Sequence, residues 1–158
     1  MRECIVNYKT ALEKNGVIAF VPGGNSMWPT LKDGKQSVIV VKKTQRLKPL
    51  DVALFERESG EIILHRVVEV TELGYITRGD SQSLFENVLE DKVIGVMTSF
   101  YRGKKCIDVN DEKYLKEVNI WYANEKRRKR KIDRFNRRQQ IKYKIKNIFK
   151  RLSGKRDV

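Results

Sequence analysis

Between residues 17 and 101 the chain is a succession of short apolar runs rich in Val and Ile, each closed by a turn signal. Val17-Ile18-Ala19-Phe20-Val21, Ser37-Val38-Ile39-Val40-Val41, Val52-Ala53-Leu54-Phe55 and Ile62-Ile63-Leu64-His65-Arg66-Val67-Val68 are too short for helices, and their branched side chains suit a pleated surface. Lys32-Asp33-Gly34 and Leu47-Lys48-Pro49-Leu50-Asp51 read as turns. Glu58-Ser59-Gly60-Glu61 reads as a hairpin tip, and Gly74, Gly79 and Gly103 punctuate later strands. This pattern predicts a mostly β body, built as sheets or a partly closed barrel. Ahead of it, residues 3–14 put Ile5, Tyr8, Ala11 and Leu12 on one helical stripe that stops at Asn15-Gly16. The fold class expected is mostly β with an N-terminal helix and a long, basic, helical C-terminal tail.

The charge divides the chain. Residues 111–158 hold 18 Lys/Arg and 6 Asp/Glu, a net of +12 out of the whole chain's +14, so the preceding 110 residues are nearly neutral. A chain of 158 residues suits one ordinary globular domain with an appendage, divided at 1–110 and 111–158. No run approaches the ~18 apolar residues that span a bilayer, and no charged stub with an apolar core marks a secretory signal. Cys4 and Cys106 have no metal-like spacing and are expected as reduced, partly buried thiols, a disulfide between them being the alternative. With a single histidine, neither a zinc site nor any other metal or cofactor site is expected. These features place the expectation in the cytoplasm.

Gly23-Gly24-Asn25-Ser26-Met27-Trp28-Pro29 follows the first strand. Glycines and a proline of fixed φ make a turn that holds a serine at the end of a sheet. A serine there is by default only a turn residue. The sole histidine, His65, lies in an apolar strand, where the default reading is a packed core residue. Arg78-Gly79-Asp80-Ser81 then sets a carboxylate at the end of another short strand. Ser, His and Asp is the residue set of nucleophilic acyl transfer. His65, with an ordinary pKa near ~6.5, is the one side chain suited to exchange a proton at neutral pH. Sequence order alone does not assemble such a set, which is defined by geometry.

Gly24-Asn25-Ser26-Met27-Trp28-Pro29-Thr30-Leu31 resembles the nucleophile box of the type I signal peptidases, and Leu64-His65-Arg66-Val67 resembles their box for the general base. Thr77-Arg78-Gly79-Asp80 and Val93-Ile94-Gly95-Val96 are similar to the two boxes that follow. Histidine at the base position matches the archaeal and endoplasmic-reticulum subtype; members of the family usually carry a membrane anchor near the nucleophile, and none is expected from the runs of this sequence. The resemblance implies a signal-peptidase-like catalytic domain over residues 1–110. It implies a serine endopeptidase with Ser26 as nucleophile, His65 as base and Asp80 as the carboxylate that orients it. Glu86 is the alternative acidic partner, and Ser81 and Gln82 stand where the family usually has asparagines. The backbone N–H of Ser26 is the expected oxyanion donor, with Asn25 as candidate for a second. The implied substrate is a leader or signal-like segment of a peptide or protein precursor, added as an extended strand beside a surface that includes Met27, Trp28 and Leu64.

In the tail, Tyr114, Leu115, Val118 and Trp121-Tyr122 begin a helical pattern. Ile141, Ile145, Ile148, Phe149 and Leu152 continue one among lysines. Between them, Lys126-Arg127-Arg128-Lys129-Arg130-Lys131 is unbroken positive charge. Such a helix suits the anionic inner face of a membrane, held peripherally. A nucleic-acid arm, an acidic protein partner and a solvated extension are the alternatives. Two further functions stand beside the endopeptidase: a repressor-like autoprotease, and a non-catalytic binding module whose tail binds nucleic acid.

Overall fold

The computed structural model describes residues 7–153. Cys4, Ile5 and the start of the expected N-terminal helix lie outside the described residues. Helix α1 runs Tyr8–Asn15, with the Asn7 side chain accepting from the Thr10 N–H at 3.1 Å. It ends at the Asn15-Gly16 pair, where the Gly16 N–H donates to the Leu12 carbonyl at 2.8 Å. The strands are β1 (Val17–Phe20), β2 (Val38–Lys42), β3 (Val52–Glu56), β4 (Ile62–Val70), β5 (Gly74–Arg78), β6 (Glu86–Leu89), β7 (Val93–Arg102) and β8 (Lys105–Asp108). Helices α2 (Glu112–Ala123) and α3 (Glu125–Ser153) follow.

All eight strands join one antiparallel sheet in the order β1-β2-β7-β3-β4-β5-β6, with β8 also pairing β7. The mostly β body is therefore present, and its register explains the burial. Ala53 pairs with His65 and Phe55 with Ile63, so alternation puts these four on one side of the β3–β4 hairpin. That side forms a core of Leu47, Ala53, Phe55, Val67, Tyr75, Val88 and Val93. Leu54 pairs with Leu64 and Val52 with Arg66 on the other side. Under α1 a glycine leaves room for the helix. A Cβ on Gly95 would sit 2.7 Å from Val40 Cγ1 and 3.0 Å from Leu12 Cδ1, so a bare backbone there lets Leu12 reach 1% exposure.

The chain forms two compact units that divide between Val118 and Asn119, later than the change in charge at residue 110. Tyr114 and Val118 are buried, and the Tyr114 ring meets Phe100 edge-on at 5.4 Å. In the second unit, α3 opens on Asn124, whose side chain accepts from the Arg127 N–H at 2.8 Å. Cys106 is a free, exposed thiol, contrary to the expected partial burial, because β8 is short and open to solvent. Among the described residues no helix is long and apolar enough to cross a membrane.

Candidate active site

The loop from β1 to β2 is ordered by its own backbone. The Gly24 N–H donates to Asp33 Oδ1 at 2.7 Å, Trp28 N–H to the Asn25 carbonyl at 3.0 Å, and Leu31 N–H to the Met27 carbonyl at 2.9 Å. Met27 and Leu31 bury their side chains and hold Ser26 half-buried above them. The turn is then strapped to the residues after β5. The Ser81 N–H donates to the Ser26 carbonyl at 2.8 Å, and the Ser81 hydroxyl donates to the Asn25 carbonyl at 2.7 Å. Gly79 permits this approach, since a Cβ there would stand 2.7 Å from the Ser26 carbonyl oxygen.

This strapping engages the Asn25 and Ser26 carbonyls and leaves the donors of Ser26 open. Among the described residues, neither the Ser26 hydroxyl nor the Ser26 N–H has a hydrogen-bond partner. Ser26 lines a cleft of about 180 Å³ together with Tyr8, Phe20, Met27, Leu54, Ile63 and Leu64. Of the expected substrate-surface residues, Met27 and Leu64 line this cleft and Trp28 does not; nor does Asn25, the candidate second oxyanion donor.

His65 is 2% exposed on β4, with its ring edge-on to Phe55 at 6.1 Å. Its Nδ1 lies 3.0 Å from Glu86 Oε1, close in distance though off the line of a good hydrogen bond. Glu86 is the first residue of β6, brought there by the β5–β6 register that pairs it with Thr77. Arg57, just past β3, clamps that carboxylate with two bonds, Nε to Oε2 and Nη2 to Oε1, each 2.8 Å. Sequence reasoning missed Arg57. Only its place across the hairpin tip from Glu61, 3.1 Å away, distinguishes it locally, and nothing local points to Glu86.

The electrostatics follow from this chain of groups. Burial is the largest influence on His65 and lowers its pKa below the ordinary 6.5; Glu86 opposes the shift, and Arg57 adds to it. Arg57 holds the Glu86 carboxyl below its usual range through their hydrogen bonds. Glu86 in turn raises the Arg57 guanidinium. At neutral pH the site is a neutral imidazole facing a carboxylate. That carboxylate favours the proton on Nδ1 and leaves Nε2 as the basic nitrogen.

The assignment of Asp80 to the imidazole is corrected by this geometry. Asp80 is 1% exposed and committed to Arg66, with Nε to Oδ1 and Nη2 to Oδ2 both at 2.8 Å. The Thr30 hydroxyl donates to the same carboxylate. Arg66 also donates to the Leu50 carbonyl at 2.9 Å and to the Tyr114 hydroxyl at 3.1 Å. Two charges this deep require such complete pairing. Asp80 therefore ties the nucleophile loop, β4 and α2 together, and Glu86 is the carboxylate beside His65.

Ser26 and His65 are not joined by a hydrogen bond in this structure. His65 does not line the Ser26 cleft, although its strand neighbours do. Ile63, which shares a strand face with His65, and the adjacent Leu64 both line the Ser26 cleft. Among the described residues no group of His, Cys, Asp and Glu is placed to hold a metal ion. The sequence matches no protein-family model and no curated protein.

Proposed function

We propose that the chain is a serine endopeptidase of signal-peptidase-like character that cuts a leader or signal-like segment from a peptide or protein precursor. The observation that carries this reading is the sole histidine, buried, held neutral and faced by a clamped carboxylate, on a strand whose Ile62, Ile63 and Leu64 line a cleft where a serine keeps its hydroxyl and N–H unengaged. In the reaction, Ser26 Oγ attacks the scissile carbonyl as its proton passes to His65 Nε2. Glu86 stabilises the imidazolium so formed, and the Ser26 N–H donates to the developing oxyanion. The imidazolium returns the proton to the leaving amine, and water then releases the acyl group by the same route. Hydroxyl and imidazole must close to hydrogen-bonding distance when the cleft is filled. Such bonds are commonly long before substrate binds and tighten in the complex.

The cleft is small, with apolar side chains and Lys32 in its lining, which supports a small residue before the cut bond. Among the described residues no helix is long and apolar enough to cross a membrane, and attachment through the basic tail is proposed as peripheral, at the inner face. Purified protein incubated with peptides tiled from neighbouring short open reading frames, with products mapped by mass spectrometry, tests the reading. Wild type is expected to yield one defined cut, and Ser26→Ala and His65→Ala each lose it almost completely, because members of a catalytic unit are not additive. Retention of more than about a tenth of the activity in His65→Ala rejects the assigned base.

A further inference from the structure

Helix α3 changes character along its length. In its first two turns the unbroken basic run is not wholly available: Arg128 is 1% exposed and paired with Glu125 at 2.6 Å, and Ile132 is buried. Beyond Asp133 the composition becomes one-sided, since residues 134–153 hold eight Lys/Arg and no Asp or Glu. Along the same stretch Ile141, Ile145, Ile148 and Phe149 are 50%, 47%, 56% and 67% exposed. At 100° per residue these four fall within an arc of about 100°. Lys142 and Lys144 project nearest the borders of that arc, Lys146 and Arg151 lie about 60° beyond it on either side, and Lys150 projects behind it.

We propose that the C-terminal half of α3 is a peripheral anchor that lies in the plane of an anionic bilayer. Ile141, Ile145, Ile148 and Phe149 enter the headgroup–acyl boundary while the flanking lysines and arginine pair with lipid phosphates. The exposed apolar face chooses lipid over nucleic acid. Phosphate contacts alone account for the charge, but they leave an exposed aliphatic and aromatic face against water. A lipid interface satisfies both faces at once, and the absence of any acidic side chain on this stretch matches a negative surface. The helix is not apolar enough along its length to cross a membrane. The inference rests on α3 alone and stands whether or not Ser26 is a nucleophile.

Co-sedimentation of the full chain with vesicles tests it. Phosphatidylcholine vesicles are compared with vesicles containing about 30% phosphatidylserine, at low and at high salt. Binding to the anionic vesicles is expected to be at least roughly tenfold tighter than to the neutral ones and to weaken with salt. Ile145→Ser with Phe149→Ser leaves the charge unchanged and should weaken anionic binding at least roughly tenfold. Tyr143→Ser, on the opposite side of the helix, should change it less than about twofold. Circular dichroism melts of each variant report that the body still folds. Three results overturn the proposal: failure to bind anionic vesicles, binding that the double variant leaves intact, or a single-stranded RNA that binds more tightly than the vesicles. A double variant that converts a dimer to a monomer in sedimentation without lipid also overturns it, because the apolar arc then faces a second copy.

Discussion

Replacing Glu86 by Gln tests the assembled site without needing the natural substrate, because the chain has one histidine and its imidazole resonances are unambiguous. Glu86 raises the His65 pKa, against burial and Arg57, which lower it. Removing the carboxylate therefore moves the His65 titration still further below the ordinary 6.5, while Arg57→Gln moves it upward. The same changes set the rate. Two unit charges about 4 Å apart at an effective dielectric of ~20 attract by about 4 kcal/mol. Glu86 Oε1 is 3.0 Å from Nδ1, but its side chain is 26% exposed and shares its charge with Arg57. Halving the attraction for that screening leaves roughly 2 kcal/mol to stabilise the imidazolium in the transition state, a loss of roughly 30-fold in kcat for Glu86→Gln. The acid limb of kcat/KM should move to lower pH together with that fall in the plateau. NMR titration of labelled histidine and a pH–rate profile on a cleaved peptide read both effects. An upward shift of the His65 titration, or an unchanged plateau, refutes the assignment of Glu86.

The remaining predictions concern the scaffold around the same groups. Asp80→Ala leaves the Arg66 guanidinium buried without its carboxylate and should cost about 3–5 kcal/mol in denaturant unfolding; Arg66→Met with Asp80→Leu should recover part of that loss. Gly79→Ala drives a Cβ to 2.7 Å from the Ser26 carbonyl, so it should lower activity at least as strongly as it lowers stability, measured by peptide cleavage and melting. Because His65 binds its proton less readily when folded, the unfolded chain takes it up first. Stability is therefore fully present above 6.5 and is lost as pH falls from there through the folded-state pKa. His65→Asn should flatten the dependence of melting temperature on pH in that window, and an unchanged slope would show that other groups govern it.

What the amino-acid order determines here is local. Short branched runs separated by Asp-Gly, Pro and Ser-Gly turns commit the chain to strands, and seven of the eight form between residues 17 and 102. The lysines and arginines crowd beyond residue 125, and no other part of the chain is comparably charged. The Ser26 turn, with its glycine pair and proline, is likewise written in adjacent residues. The partners of the histidine are not. Asp80 and Glu86 lie six positions apart, and both are carboxylates near the end of β5 or the start of β6. Only the antiparallel register, pairing Glu86 with Thr77 and Ala53 with His65, brings one to Nδ1 and turns the other to Arg66. Arg57, 29 residues from Glu86, meets it only because the β3–β4 hairpin and β6 converge. Period and turn chemistry act over a few residues and can be read from them. Pairing across a sheet is decided by which buried faces and charges satisfy one another together, and that is a property of the folded chain.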